Sequence, residues 1–171
     1  MIRIALLVAA AASLLVTTHV ALAEPSAQTL FILQRSKNKN EVHYDSQLEA
    51  GGKLAAKKPV VAYWRLLAED GRREELGYFE RKKAYGFSVT PEAEGASYTM
   101  KLIAAPDRSI KVSLARGTPR AEMVIGGQPA VLKRIYITTE EGRLIPKVRS
   151  VELFGVHAGT GKPLYERVIR N

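Results

Sequence analysis

From Ser97 onward, apolar and polar positions alternate every second residue. Tyr98, Met100, Leu102 and Ala104 interleave with Ser97, Thr99 and Lys101, and Ile110, Val112 and Leu114 interleave with Lys111 and Ser113. Period two with one polar face marks a half-solvated strand. Pro106-Asp107-Arg108 predicts a turn between these two runs. Gly126-Gly127 predicts a hairpin turn between Ala121–Ile125 and Ala130–Thr138, because two glycines supply the positive backbone angles such turns need. Glu140-Glu141-Gly142 and Ala158-Gly159-Thr160-Gly161 mark further turns around Val148–Val156 and Leu164–Ile169.

The first half of the chain is less regular. Thr29–Arg35 reads as a strand, Ser36–Asn40 as a polar turn and Glu41–Asp45 as an extended segment, followed by a loop over Gln47–Lys58. Val60–Leu67 is apolar on both faces apart from Arg65, the pattern of a strand covered on both sides, with Trp64 in the core. Glu69–Phe87 changes character. Leu76, Phe79 and Lys83 fall near helical spacing, which predicts one short helix, and Val89–Gly95 then reads as a loop around Pro91. Strands at about ten-residue spacing, broken by Gly and Pro, predict a mainly β fold: one antiparallel sandwich or barrel domain over residues 29–171 with one short helix.

Residues 1–23 stand outside that pattern. Met1-Ile2-Arg3 gives a positive start, Ile4–Val16 an apolar run, and Ala21-Leu22-Ala23 small residues where a signal peptidase reads. This is the three-part form of a secretory signal, with cleavage expected after Ala23. The run is shorter than the ~20 residues of a spanning helix, so no transmembrane segment is expected in the mature chain. Residues 24–28 read as a short leader. The chain has no cysteine, which rules out a thiolate nucleophile, a cysteine metal site and a lipid-modified N-terminal cysteine. A periplasmic or secreted location follows from the signal.

The formal charge is +9, from 26 Lys and Arg against 17 Asp and Glu. Arg3 leaves with the signal, so 25 basic residues remain against 17 acidic ones, a net charge of +8. Such a surface favours anionic partners. For an exported chain that means envelope lipid or glycan and not nucleic acid.

Three segments carry a family likeness: Gln34–Asn40 with His43-Tyr44-Asp45, then Glu80–Phe87, then Val151–Val156 with Thr160–Glu166. They resemble the family called domain of unknown function 4833, over about residues 29–170. The resemblance implies a single exported domain. It implies no mechanism, because the family has no assigned function.

Candidate chemistry is sparse. His43 and Asp45 share one face of an extended strand, and His157 would complete an acid–base or metal-holding set if its strand lay alongside; that spacing is generic, and no metal or cofactor is expected. There is no Gly-x-Ser-x-Gly elbow. Gly159-Thr160-Gly161-Lys162 lacks the leading Gly and the Ser or Thr of a phosphate loop, since Val156 and Pro163 stand there. A basic surface beside aromatics is the better candidate. Arg35, Lys37, Arg81, Lys82 and Lys83, with Tyr44 and Tyr85, could take an anionic group while a ring packs an apolar or sugar moiety. The sequence therefore reads as a non-enzymatic module binding an anionic or amphipathic envelope ligand. Its alternatives are an envelope enzyme using His43 and Asp45, with or without His157, and a protein-interaction or structural domain.

Overall fold

A computed structural model describes residues 28–92, 96–140 and 147–170. The expected signal and all of the leader except Gln28 lie outside these residues, as do Glu141 and Gly142 of one expected turn. The described residues form eleven strands and one helix. In chain order they are β1 (Gln28–Arg35), β2 (Asn38–Ser46), β3 (Val60–Arg65), β4 (Arg73–Glu75), α1 (Tyr78–Lys83), β5 (Phe87–Pro91), β6 (Ser97–Leu102), β7 (Ala105–Ala115), β8 (Thr118–Ile125), β9 (Gln128–Glu140), β10 (Lys147–His157) and β11 (Pro163–Ile169). Among the described residues no helix is long and apolar enough to cross a membrane.

All the strands belong to one sheet, curled into an open half-barrel. It is neither a two-sheet sandwich nor a closed barrel. The reason lies in β9, whose thirteen residues are long enough to serve three partners. It gives Gln128–Val131 to β8 and Arg134–Ile137 to β1, and β10 runs along Ala130–Glu140. Because β10 spans both stretches, β8 and β1 must share the opposite edge. From there two arms diverge, β1-β2-β3-β4 and β8-β7-β6-β5. The β1–β9 pairing is parallel, the one departure from the antiparallel arrangement that the hairpin turns predict.

The core fills the angle between the arms. Phe31, Leu33, Val42, Tyr44 and Trp64 face inward from one arm, and Tyr98, Met100, Leu102, Ile110 and Val112 from the other. The rings of Tyr44 and Phe87 meet edge to face at 5.9 Å, tying the arms together. Burial repeats at every second residue in β6, as the sequence alternation requires.

Two segments differ from their sequence reading. The expected loop after Phe87 begins as strand β5, which pairs with β6 through Pro91. Pro is tolerated there because β5 is the outer strand of its arm. Pro106, Asp107 and Arg108 are part of β7, and Ile103-Ala104 makes the turn instead. The helix occupies only the second half of its predicted window, with β4 ahead of it.

Candidate functional site

The inner face of the half-barrel holds an apolar cavity of about 150 Å³. Leu33, Ile135 and Ile137 form one wall, from β1 and β9. Leu102 and Ile110 form the other, from β6 and β7, and Leu153 of β10 closes the floor. These are the inward positions of alternating strands, so the cavity follows from the arms failing to close over their own core. A space of this size, lined by aliphatic side chains, can hold a ring or a short alkyl segment.

One side of the cavity is charged. Asp107, Arg108 and Arg170 border it, and Asp107, Arg108 and Met123 also line a shallow, open hollow of about 710 Å³. Arg108 and Glu166 stand between the two spaces. Arg108 Nη1 donates to Glu166 Oε2 at 3.1 Å, and Nη2 donates to Oε1. The backbone N–H of Gly126 donates to Glu166 Oε2 at 2.9 Å. The hydrogen bonds from Arg108, with that from Gly126, hold the Glu166 carboxyl below its ordinary range, and the same pairing raises Arg108. β7 and β11 are not hydrogen-bonded neighbours, so this bidentate pair joins two strands that the backbone ladder leaves apart.

The basic residues singled out in the sequence divide into two groups. Arg35, Tyr44 and Tyr85 come together inside the fold. The Arg35 guanidinium lies 5.6 Å from the Tyr85 ring centroid and 6.0 Å from that of Trp64. Its Nε is buried with no hydrogen-bond partner among the described residues. Tyr44 is fully buried, and its hydroxyl donates to the Tyr85 carbonyl at 2.8 Å. Burial pushes the Tyr44 phenol far above its ordinary value, and burial also raises Tyr85, opposed by Arg35. These two tyrosines hold the core and do not present rings to solvent.

Arg81, Lys82 and Lys83 form the last turn of α1, and all three are exposed. The helix is pinned by Glu80, whose carboxylate accepts Trp64 Nε1–H at 3.1 Å and the Gly77 N–H at 2.8 Å. Arg81 borders a second hollow of about 210 Å³ with Lys58, Glu75 and Ile103. Lys37 sits at the β1–β2 turn, close enough to help lower Glu140 at the end of β9.

The histidines are not brought together. His43 faces away from the core on β2, bonded to Glu41 at 3.1 Å and stacked on Tyr63 at 5.7 Å. Asp45 accepts the Tyr63 hydroxyl at 2.7 Å, and burial together with this bond pushes the Tyr63 phenol up to about 12. His157 ends β10, where its Nδ1 accepts the N–H groups of Gly159 and Thr160 and so closes a turn. Three strand spacings separate β2 from β10, and His157 pairs with Ala130 while His43 is level with Arg134, so the two histidines are apart both across and along the sheet. Among the described residues no three His, Asp or Glu side chains are placed to hold a metal ion.

Sequence reading missed the cavity's charged border. Arg108 and Glu166 are 58 residues apart, and nothing local signals that they meet.

A family model described as Domain of unknown function (DUF4833) matches residues 31–167. No curated protein and no solved structure matches the chain.

Proposed function

The chain belongs to the family described as domain of unknown function 4833, and from that premise we propose that it is a non-enzymatic module that binds an amphipathic ligand in its open half-barrel. The observation that carries this reading is the apolar cavity, joined at Asp107, Arg108 and Met123 to an open polar hollow. A ligand with a short alkyl chain or ring at one end and a charged group at the other fits that gradient. The apolar end lies against Leu33, Ile135 and Leu102, and the polar end reaches Arg170 and the Arg108–Glu166 pair. The positive charge of the chain favours an anionic head group at long range. The scattered histidines count against the enzyme alternative. Residues 1–23 direct export, so the ligand is one met in the periplasm or outside the cell.

Octanoate is a suitable probe, since it has both ends in a small molecule. Titration followed by calorimetry should show saturable binding at one site. Ala105→Trp, which fills the cavity border, should abolish it, and Arg170→Gln should weaken it. Undiminished binding to Ala105→Trp would remove the cavity from consideration. Export is tested by N-terminal sequencing of protein recovered from periplasm or medium, which should begin at Glu24.

A further inference from the structure

We propose that the outward face of α1 is a docking surface for an anionic lipid bilayer, separate from the cavity. At about 100° per residue, Tyr78, Lys82, Phe79 and Lys83 fall on one continuous arc of about 140°. Glu80 and Arg81 occupy the rest of the circumference. The other two have structural duties: the Glu80 side chain holds Trp64 and the helix start, and the backbone carbonyl of Arg81 lies where a Cβ on Gly86 would be, 1.7 Å away. The outward four have none within the fold. The helix buries no residue. Tyr78 is 61% exposed and Phe79 76% exposed, and their rings rest edge to face at 5.6 Å. The Lys82 ammonium lies 4.8 Å over the Tyr78 ring.

The chemistry of the arc selects its partner. Two adjacent rings stand in the first turn and two lysines one turn on, with no acidic side chain on that face. Rings of this kind enter the boundary between head groups and acyl chains, and lysine stems run along the apolar layer and leave their amines at the phosphates. The acidic residues just before the helix are already engaged, Glu75 with Arg73 at 2.9 Å and Glu74 with Arg72 at 3.9 Å. Ile103, 45% exposed, borders the same hollow as Arg81 and adds apolar surface beside the helix. A stable protein interface takes about 800 Å² per partner, more than six residues present. A bilayer demands no such complementary shape.

The test is sedimentation with vesicles of equal parts phosphatidylglycerol and phosphatidylcholine. The chain is used from Glu24, since the apolar run before it would enter lipid by itself and all the described strands and the helix lie within residues 28–169. Binding is expected to anionic vesicles, to fall steeply with salt, and to be absent with phosphatidylcholine alone. Lys82→Gln with Lys83→Gln should weaken binding about 25-fold, at about fivefold per charge. Tyr78→Ser with Phe79→Ser should weaken it at least tenfold with an unchanged melting temperature, because both rings are exposed. A charge-matched control, Lys133→Gln with Lys162→Gln, should stay within about twofold of wild type. Ala105→Trp should bind vesicles normally, so loss of the cavity reading leaves this one standing. Equal losses in the control, or indifference to the two rings with equal capture by soluble dextran sulfate, would overturn the bilayer as partner.

Discussion

At the scale of single residues, the fold is pinned where the two arms and the helix meet. Tyr44 reaches across to the backbone of Tyr85, and Tyr85 in turn meets Trp64 edge to face at 5.1 Å. Tyr44→Phe keeps the ring and removes only the donor, leaving a buried carbonyl short of a partner. Urea unfolding should show a loss of about 1–3 kcal/mol. Trp64→Ala removes the ring that packs on Tyr85 and Arg35 and the N–H that anchors Glu80. Its cost should be about 3–5 kcal/mol, and a variant melting within a degree or two of wild type would show that the ring is dispensable. Trp64 was legible as a core residue, since it sits in a run apolar on both faces. The position of Arg35 was legible only as a basic residue, because its contact with Tyr85 joins segments 50 residues apart.

At the scale of elements, α1 is too short to hold itself, and its place depends on what surrounds it. Gly86 leaves room for the Arg81 carbonyl where any Cβ would clash with backbone. Gly86→Ala should therefore displace the end of the helix. The expected outcome is a lower melting temperature together with weakened vesicle binding, whereas Tyr78→Ser with Phe79→Ser changes only the second. The two readouts separate damage to the helix from removal of its surface. The strands of the second half were legible because one face of each is wet, so composition records the pleat. The first half was less so. The window Glu69–Phe87 signals helix by spacing, but Gly77 confines it to six residues and the three residues Arg73–Glu75 pair with β3 instead. The strand at Phe87–Pro91 was hidden by a proline that an outer strand accepts. The parallel pairing of β1 with β9 had no local signal, because alternation gives the face of a strand and not its neighbour.

At the scale of the whole molecule, the half-barrel stays open, and the Arg108–Glu166 pair joins β7 to β11, two strands that are not ladder neighbours. The side chains are 32% and 22% exposed, so solvent weakens the pair, and a contribution of about 1 kcal/mol is the appropriate scale. Glu166→Gln should then lower the melting temperature at neutral pH by about 2–4 °C for a chain of this size. The pH dependence follows from the depressed Glu166 carboxyl. A carboxyl held low in the folded state contributes fully above its unfolded value, about 4.3, and loses that contribution as pH falls through its folded value. Wild type and Glu166→Gln should therefore differ at pH 7, begin to converge below about pH 4.3 and meet once pH has fallen past the lower folded value. Glu92 and Glu140 are also held low, by hydrogen bonds from Ser97 and Arg149, so both proteins will lose stability in acid. It is the difference between them that isolates the bridge. A constant difference down to pH 3 would show that Glu166 acts through packing alone. The same variant bears on ligand binding, since the bridge stands between the cavity and the hollow. If it holds the mouth in shape, octanoate should bind Glu166→Gln more weakly at pH 7, where the probe is fully ionised, and equal or tighter binding would show that the pair does not shape the mouth.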